Sequence, residues 1–377
     1  MTKSKFAVGP VFVIAIVLAL SSFALAAGQG GPIEEPPVQG AAAMARAQEC
    51  GMFGTVNAVG NDYSGAYVSF EMSNGVIENY TVGEPETLLL ERFEVSGFGY
   101  TSVQTGGALV TVSGAMGDIY VHNNRPSILH FTKASQAATI VTIVMAPGMT
   151  AVKAAGSNNF DISGSVEALA MVGNGTTQIN GSVVTVSYAS ASGSFTMRVD
   201  QQSGDGLRAQ VQRMTLDGGL AGEMDIVAAQ GGSAQDGLCY NATTRMTAEA
   251  AGNGTLSLRV QAEYSHGMAF RIGTDYDTIG AKNADAVRAK LDGEKMKRVS
   301  AGELVQYQAE NRAEAAYCVE SSGLGCDVLV YVPHFSEHVV TIESAEASSI
   351  PALPAVATVV AIVVAAFAVA FRAKRSR

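Results

Sequence analysis

Tryptophan is absent from this chain of 377 residues, and Asp, Glu, Lys and Arg together supply only 15% of it. Cysteine occurs four times, never in C-x-x-C, C-x-x-C-H or zinc-ribbon spacing, which excludes thioredoxin-like, c-haem and structural-zinc chemistry. No G-x-S-x-G, P-loop, strand-linked G-x-G-x-x-G or S-x-x-K is present, so the common nucleophile and phosphate signatures are missing. The formal net charge is −10, and no basic cluster stands between the two ends. That balance argues against nucleic acid as a partner and against electrostatic docking on anionic lipid.

Long charge-free runs do occur, one at each end. Ile350 to Phe371 (IPALPAVATVVAIVVAAFAVAF) holds no charge and is closed by Arg372, Lys374, Arg375 and Arg377. At about 1.5 Å per residue such a run covers roughly 30 Å, the hydrocarbon thickness of a bilayer. Backbone amides in lipid must bond within the segment, so a transmembrane helix is expected over 350–371, with a basic cytoplasmic tail at 372–377. At the other end Lys3 and Lys5 precede an apolar core from Phe6 to Leu20 and the small-residue site Ala24-Leu25-Ala26. This is the pattern of a secretory signal peptide over 1–26. Together the two ends predict a single-pass type I protein of the cell membrane, its body extracellular and the bilayer its partner through 350–371.

In an oxidising compartment four cysteines read as two disulfides. Cys318 and Cys326 flank the turn SSGLG and are expected to pair, which leaves Cys50 to Cys239 as one of three possible connectivities. Five of the fourteen asparagines stand in N-x-S/T sequons: Asn79, Asn174, Asn180, Asn241 and Asn253. This number points to N-glycosylation, and Asn-Gly-Ser/Thr is also good turn chemistry.

Glycine is abundant, with 41 residues, and it punctuates short alternating or β-branched runs from Met52 to about Ile272. The stretch 207–216 is read as one of these strands. The expectation is a mainly β chain: a large antiparallel β ectodomain over 50–272, a sandwich or elongated sheet in preference to a solenoid. A flexible leader (27–49) precedes it. A small α+β membrane-proximal unit (273–342) and a stalk (343–349) follow. In that unit Asp292-Gly293 closes a hairpin, and Ser300 with Glu303 forms a capping box opening a helix to about Ala316. Val68, Phe70 and Met72 predict a hairpin around Ser73-Asn74-Gly75. A three-residue loop would pair Met72 with Val76 and place Asn79 on the polar face, whereas a two-residue loop would set Asn79 opposite Phe70.

Two constellations resemble metal sites. His334-Phe-Ser-Glu337-His338 fits H-x-x-E-H, in which two His on one helical face hold zinc and Glu activates water. Its flanks, Tyr331-Val332-Pro333 and Val339-Val340-Thr341-Ile342, read as strand, loop and strand, which would part the histidines by about 13 Å. Asp275-Tyr-Asp277-Thr-Ile279-Gly280 begins like a calcium loop but has Ala286 where the bidentate Glu belongs. Neither site is expected to hold a metal, and no cofactor is expected. His130, in the apolar run ILHFT, is expected to be a core or ladder residue.

The C-terminal block of polar stalk, Ser349-Ile-Pro351-Ala-Leu-Pro354, apolar helix and basic cluster resembles the tripartite sorting signals processed by archaeosortases in archaeal surface glycoproteins. It carries Pro-x-x-Pro where those signals have Pro-Gly-Phe or Pro-Glu-Phe. The resemblance implies an envelope or S-layer-associated glycoprotein, with envelope polymer or the S-layer itself as partner. The expected function is non-enzymatic, structural or adhesive. The alternatives are an ectodomain that captures a ligand or ion and, less favoured, a hydrolase built on the HFSEH turn.

Overall fold

In a computed structural model, residues 41–345 are described, apart from 84, 191, 200–205, 230–231, 241–243, 264–265 and 335. The expected signal peptide, transmembrane run and basic tail lie outside the described residues. Among those described, no helix is long and apolar enough to cross a membrane.

The protein is mainly β, built as two sandwiches. The first uses β1 (Asn57–Val59), β2 (Asp62–Ser64), β3 (Val68–Ser73), β4 (Val76–Val82), β5 (Thr87–Val95), β6 (Tyr100–Gly106), β7 (Leu109–Gly114) and β8 (Gly117–His122). It continues with β9 (Ser127–Lys133), β10 (Thr139–Met145), β11 (Thr150–Lys153), β12 (Phe160–Ser163), β13 (Ala168–Gly173), β14 (Thr176–Asn180), β15 (Val183–Tyr188) and β16 (Ser194–Val199). One sheet runs β1-β2-β3-β4-β5-β10-β15-β14, the facing one β11-β12-β13-β16-β9-β8-β7-β6. Every pairing in both is antiparallel. Alternate side chains turn inward, and without tryptophan the filling falls to Phe and Tyr. Phe93, Phe160 and Phe195 pack at 5.5 and 6.4 Å between ring centroids, inside walls of Val, Ile and Leu.

The second sandwich holds β17 (Leu220–Ala229), β18 (Gly232–Cys239), β19 (Arg245–Gly252), β20 (Thr255–Gln261), β21 (Met268–Asp275) and β22 (Val287–Leu291). To these it adds β23 (Glu294–Lys295), β24 (Lys297–Arg298), β25 (Ala316–Ser322), β26 (Gly325–Val332) and β27 (Glu337–Ser344). Its sheets run β18-β17-β21-β26-β25-β24 and β19-β20-β27-β22-β23. The six-stranded sheet is mixed, because β17 lies parallel to β21 and β24 parallel to β25. Three helices, α1 (Ala41–Glu49), α2 (Leu207–Leu216) and α3 (Ala301–Ala309), complete the described structure. They cover the outer face of that sheet. Its central strands β21 and β26 are therefore buried on both faces along their whole length.

Several expectations change. The boundary at 272/273 does not hold, since β17 to β21 pair with later strands and the second unit begins near residue 206. Residues 41–49 of the leader are helical, with Ala43 and Ala47 buried against Val227 and Ala234. The stretch 207–216 is α2, because Leu207, Val211 and Met214 recur at helical spacing and share one apolar cluster. Helix α3 has the capping box at Ser300 and Glu303 but stops at Ala309. Glu343 and Ser344 of the stalk are the last rungs of β27.

The hairpin of β3 and β4 closes on the two-residue turn Asn74-Gly75, with Ser73 opposite Val76 and Met72 opposite Ile77. Both turn residues have positive φ, 52° and 80°. Asn79 nevertheless stays exposed, because it too adopts positive φ (52°) at a bulge, which turns Tyr80 inward.

All four cysteines are buried free thiols, so the expected disulfides are absent among the described residues. The register explains the first pair. Cys318 faces Leu329, three residues along from Cys326, and an odd offset puts the two on opposite faces. Cys318 packs in the helix-covered cluster with Leu304 and Leu329, Cys326 between the sheets with Val328 and Val330. Cys50 and Cys239 are likewise parted by the sheet: Cys50 lies beneath α1 and Cys239 in the sandwich core. Burial pushes Cys50 up to about 11 and the other three thiols up to about 12. Native protein should therefore resist alkylation at pH 8, while denatured protein takes up four labels per chain without reductant. Uptake of none would restore the disulfides.

Candidate functional site

The HFSEH turn joins β26 to β27. The two imidazoles approach to 5.4 Å between ring centroids, nearer than a strand would hold them, because the chain folds back through the turn. Both nitrogens of His338 are occupied: Nδ1 lies 2.7 Å from Asp292 Oδ2, and Nε2 lies 3.1 Å from the His334 carbonyl oxygen. Glu337 is turned away and accepts from Arg259. No group of three His, Cys, Asp or Glu side chains converges on a metal position among the described residues. The Asp275–Gly280 loop is occupied from within as well. Arg46 of α1 reaches Asp275 at 2.7 Å and Asp277 at 2.5 Å, and Thr278 donates to Asp275. His130 is buried in β9, 2.7 Å from Thr196 Oγ1, the ladder role expected of it.

The largest concentration of chemistry-bearing side chains is one that motif reading missed. On the outer face of the six-stranded sheet, one row runs Asp236, Asp225, Gly273, Asp327 and Glu320 across β18, β17, β21, β26 and β25. The adjacent row places Glu223 beside Arg271. Four of these carboxylates, on Glu223, Asp225, Asp236 and Asp327, are 6% exposed or less. Gly273 is what lets one arginine serve three of them. Arg271 passes over the bare position to reach Asp327 at 2.5 Å, Asp225 at 3.1 Å and Glu223 at 3.4 Å. A Cβ on residue 273 would stand 1.9 Å from Asp225 Oδ1.

The first sandwich supplies further partners. Arg198 of β16 grips Glu223 with two nitrogens, at 2.7 and 3.2 Å, and Tyr240 donates to the same carboxylate. His122 of β8 sets Nδ1 2.9 Å from Asp236. The Arg125 carbonyl accepts from Arg271 at 3.3 Å. At the exposed end of the row Glu320 accepts the backbone N–H of Leu207, the first residue of α2, at 2.8 Å.

Burial opposes ionisation of Glu223, but Arg198 and Arg271 outweigh it and hold the carboxyl below its ordinary range. Asp225 goes the other way: burial, aided by Asp327 and Glu223, overcomes Arg271 and pushes it up to about 7. Arg198 and Arg271 thus converge on Glu223, and Arg271 also reaches Asp225 and Asp327. Such an arrangement is closed to solvent and suited to joining two units. The sequence signal was Glu223-Met-Asp225 inside an otherwise apolar strand, two acids on one face two residues apart.

Among the described sequons Asn79, Asn174, Asn180 and Asn253 are all exposed, and Asn241 lies outside the described residues. A cavity of about 220 Å³ lies between Arg288, Lys290, Lys295, Tyr317 and Glu343. It is below the roughly 300–1,000 Å³ of small-molecule sites, and Lys290 already pairs with Glu343 at 2.7 Å.

Arg271→Met should destabilise the protein by about 3–5 kcal/mol in urea unfolding, since it strands buried carboxylates. Asp225 carries a pH signature. Its folded pKa of about 7 exceeds the ordinary 3.8, so the folded chain keeps a proton that the unfolded chain releases. Its contribution to stability is full below about 4 and is lost as pH rises to about 7. Asp225→Asn should flatten the thermal midpoint between about pH 4 and 7 relative to the native protein, and an unchanged slope would refute the shift. Comparison with protein-family models finds no match for this chain, and comparison with curated proteins finds none either.

Proposed function

We propose that this is a non-enzymatic, N-glycosylated surface protein with a structural or adhesive role, held in the membrane by residues 350–371. The observation that carries this reading is the exposure of the sequon asparagines Asn79, Asn174, Asn180 and Asn253. Three of them, Asn79, Asn174 and Asn253, have φ between 52° and 57°. These are sharp turns or bulges, where a side chain stands clear of its neighbours and a glycan fits without disturbing a core. The polar groups that could have formed a reactive cleft are engaged in holding the two sandwiches together. What is left outside is a rigid β body with polar loops, the form of a spacer or coat component. The resemblance of the C-terminal block to archaeal sorting signals agrees with an envelope location.

Two measurements test this on the native cell. Protease added to intact cells should remove an epitope placed between residues 41 and 345 and leave one after Arg377 untouched. Mass spectrometry of the isolated protein should find glycan on Asn174 and Asn253. A protected body with a digested C-terminus would reverse the orientation, and bare asparagines at both sites would remove the glycoprotein part.

A further inference from the structure

We infer that strand β6 is a docking edge for a second copy of this chain, the two copies joined β6 to β6 in an antiparallel pair. This depends on the fold alone and not on the surface location proposed above. Four sheets have eight edge strands, and unpaired strand edges invite pairing unless something blunts them. Seven are blunted. β1, β23 and β24 have three, two and two residues. β11 has four residues and ends on Lys153, which crosses to donate to the Thr177 carbonyl on β14. That contact, with the Asn158 side chain accepting from Thr177 N–H, also stops the free edge of β14. β18 lies beneath α1, and β19 is bulged, carries Arg245 and Glu249, and packs against β17.

β6 is the exception among the described residues. It has seven residues, Tyr-Thr-Ser-Val-Gln-Thr-Gly, six of them exposed, and after an irregularity at Thr101 it pairs regularly with β7 from Ser102 to Gly106. No charge stands between Glu94 and Asp118, although the chain carries a net charge of −10. A net charge of that size opposes the approach of two copies wherever charged surfaces meet. Here a two-fold axis through β6 sets uncharged residues against their own equivalents, the self-complementary arrangement of a closed dimer. Pairing would join two eight-stranded sheets into one and satisfy the outward N–H and C=O groups of both edges.

The buried native thiols make the test clean, because an introduced surface cysteine has no native competitor. In full-length protein in detergent, Gln104→Cys on β6 should give a reducible dimer on mild oxidation. Thr150→Cys, exposed on the edge strand β11, should not. Sedimentation should show a dimer whose protein mass halves in Gln104→Lys, which sets two cations face to face. A native monomer, a dimer unmoved by Gln104→Lys, or equal crosslinking from residue 150 would each overturn the assignment.

Discussion

Buried carboxylates on one face of a sheet cannot stand without opposite charge, and that constraint organises this molecule. Glu223, Asp225, Asp236 and Asp327 lie on the outer face of the six-stranded sheet, where β17, β21 and β26 are also stripped of water by what covers them. Among the described residues Arg271 is the one cation that β17, β18, β21, β25 and β26 contribute. Further partners come from elsewhere in the chain: Arg198 and the His122 ring from the first sandwich, and the N-terminus of α2 for Glu320. Removing a charge from water costs several kcal/mol, so the buried Glu223 depends on Arg198 and Arg271. The electrostatics of one sheet thereby dictate which unit docks on it and in what orientation.

The same logic explains the start of the described chain. Residues 41–56 run along the boundary between the two units and bond to both. Arg46 closes the Asp275–Asp277 pair on the second, while the Met52 carbonyl accepts from Arg125 and Val56 N–H donates to Gly107 on the first. Small side chains at Ala43 and Ala47 let the helix lie close to Val227 and Ala234. A loop resembling a calcium site is thus filled by a guanidinium, a single positive charge with the fork geometry that two carboxylates accept.

Function follows from where polarity is placed. Inside, it is matched and closed. On the surface are sequon asparagines, polar turns and the long uncharged edge of β6.

The β-rich character, the Asp292-Gly293 hairpin and the cap at Ser300 were legible in the sequence, because alternation, turn chemistry and capping are local. The accessibility of the four described sequons, Asn79, Asn174, Asn180 and Asn253, was legible for the same reason. The helical spacing of Leu207, Val211 and Met214 was present too, though strands on either side concealed it. Other features were beyond it because they depend on register between distant strands. One is the Asp225 row, assembled from strands up to a hundred residues apart. Another is the bulge that keeps Asn79 outside while the hairpin closes on two residues. The third is the three-residue offset that turns Cys318 and Cys326 to opposite faces, where proximity in sequence promised a bond. Local pattern determined what each segment would become, and only tertiary pairing decided which charges, thiols and edges would meet, since a shift of one residue between strands exchanges the two faces of a sheet.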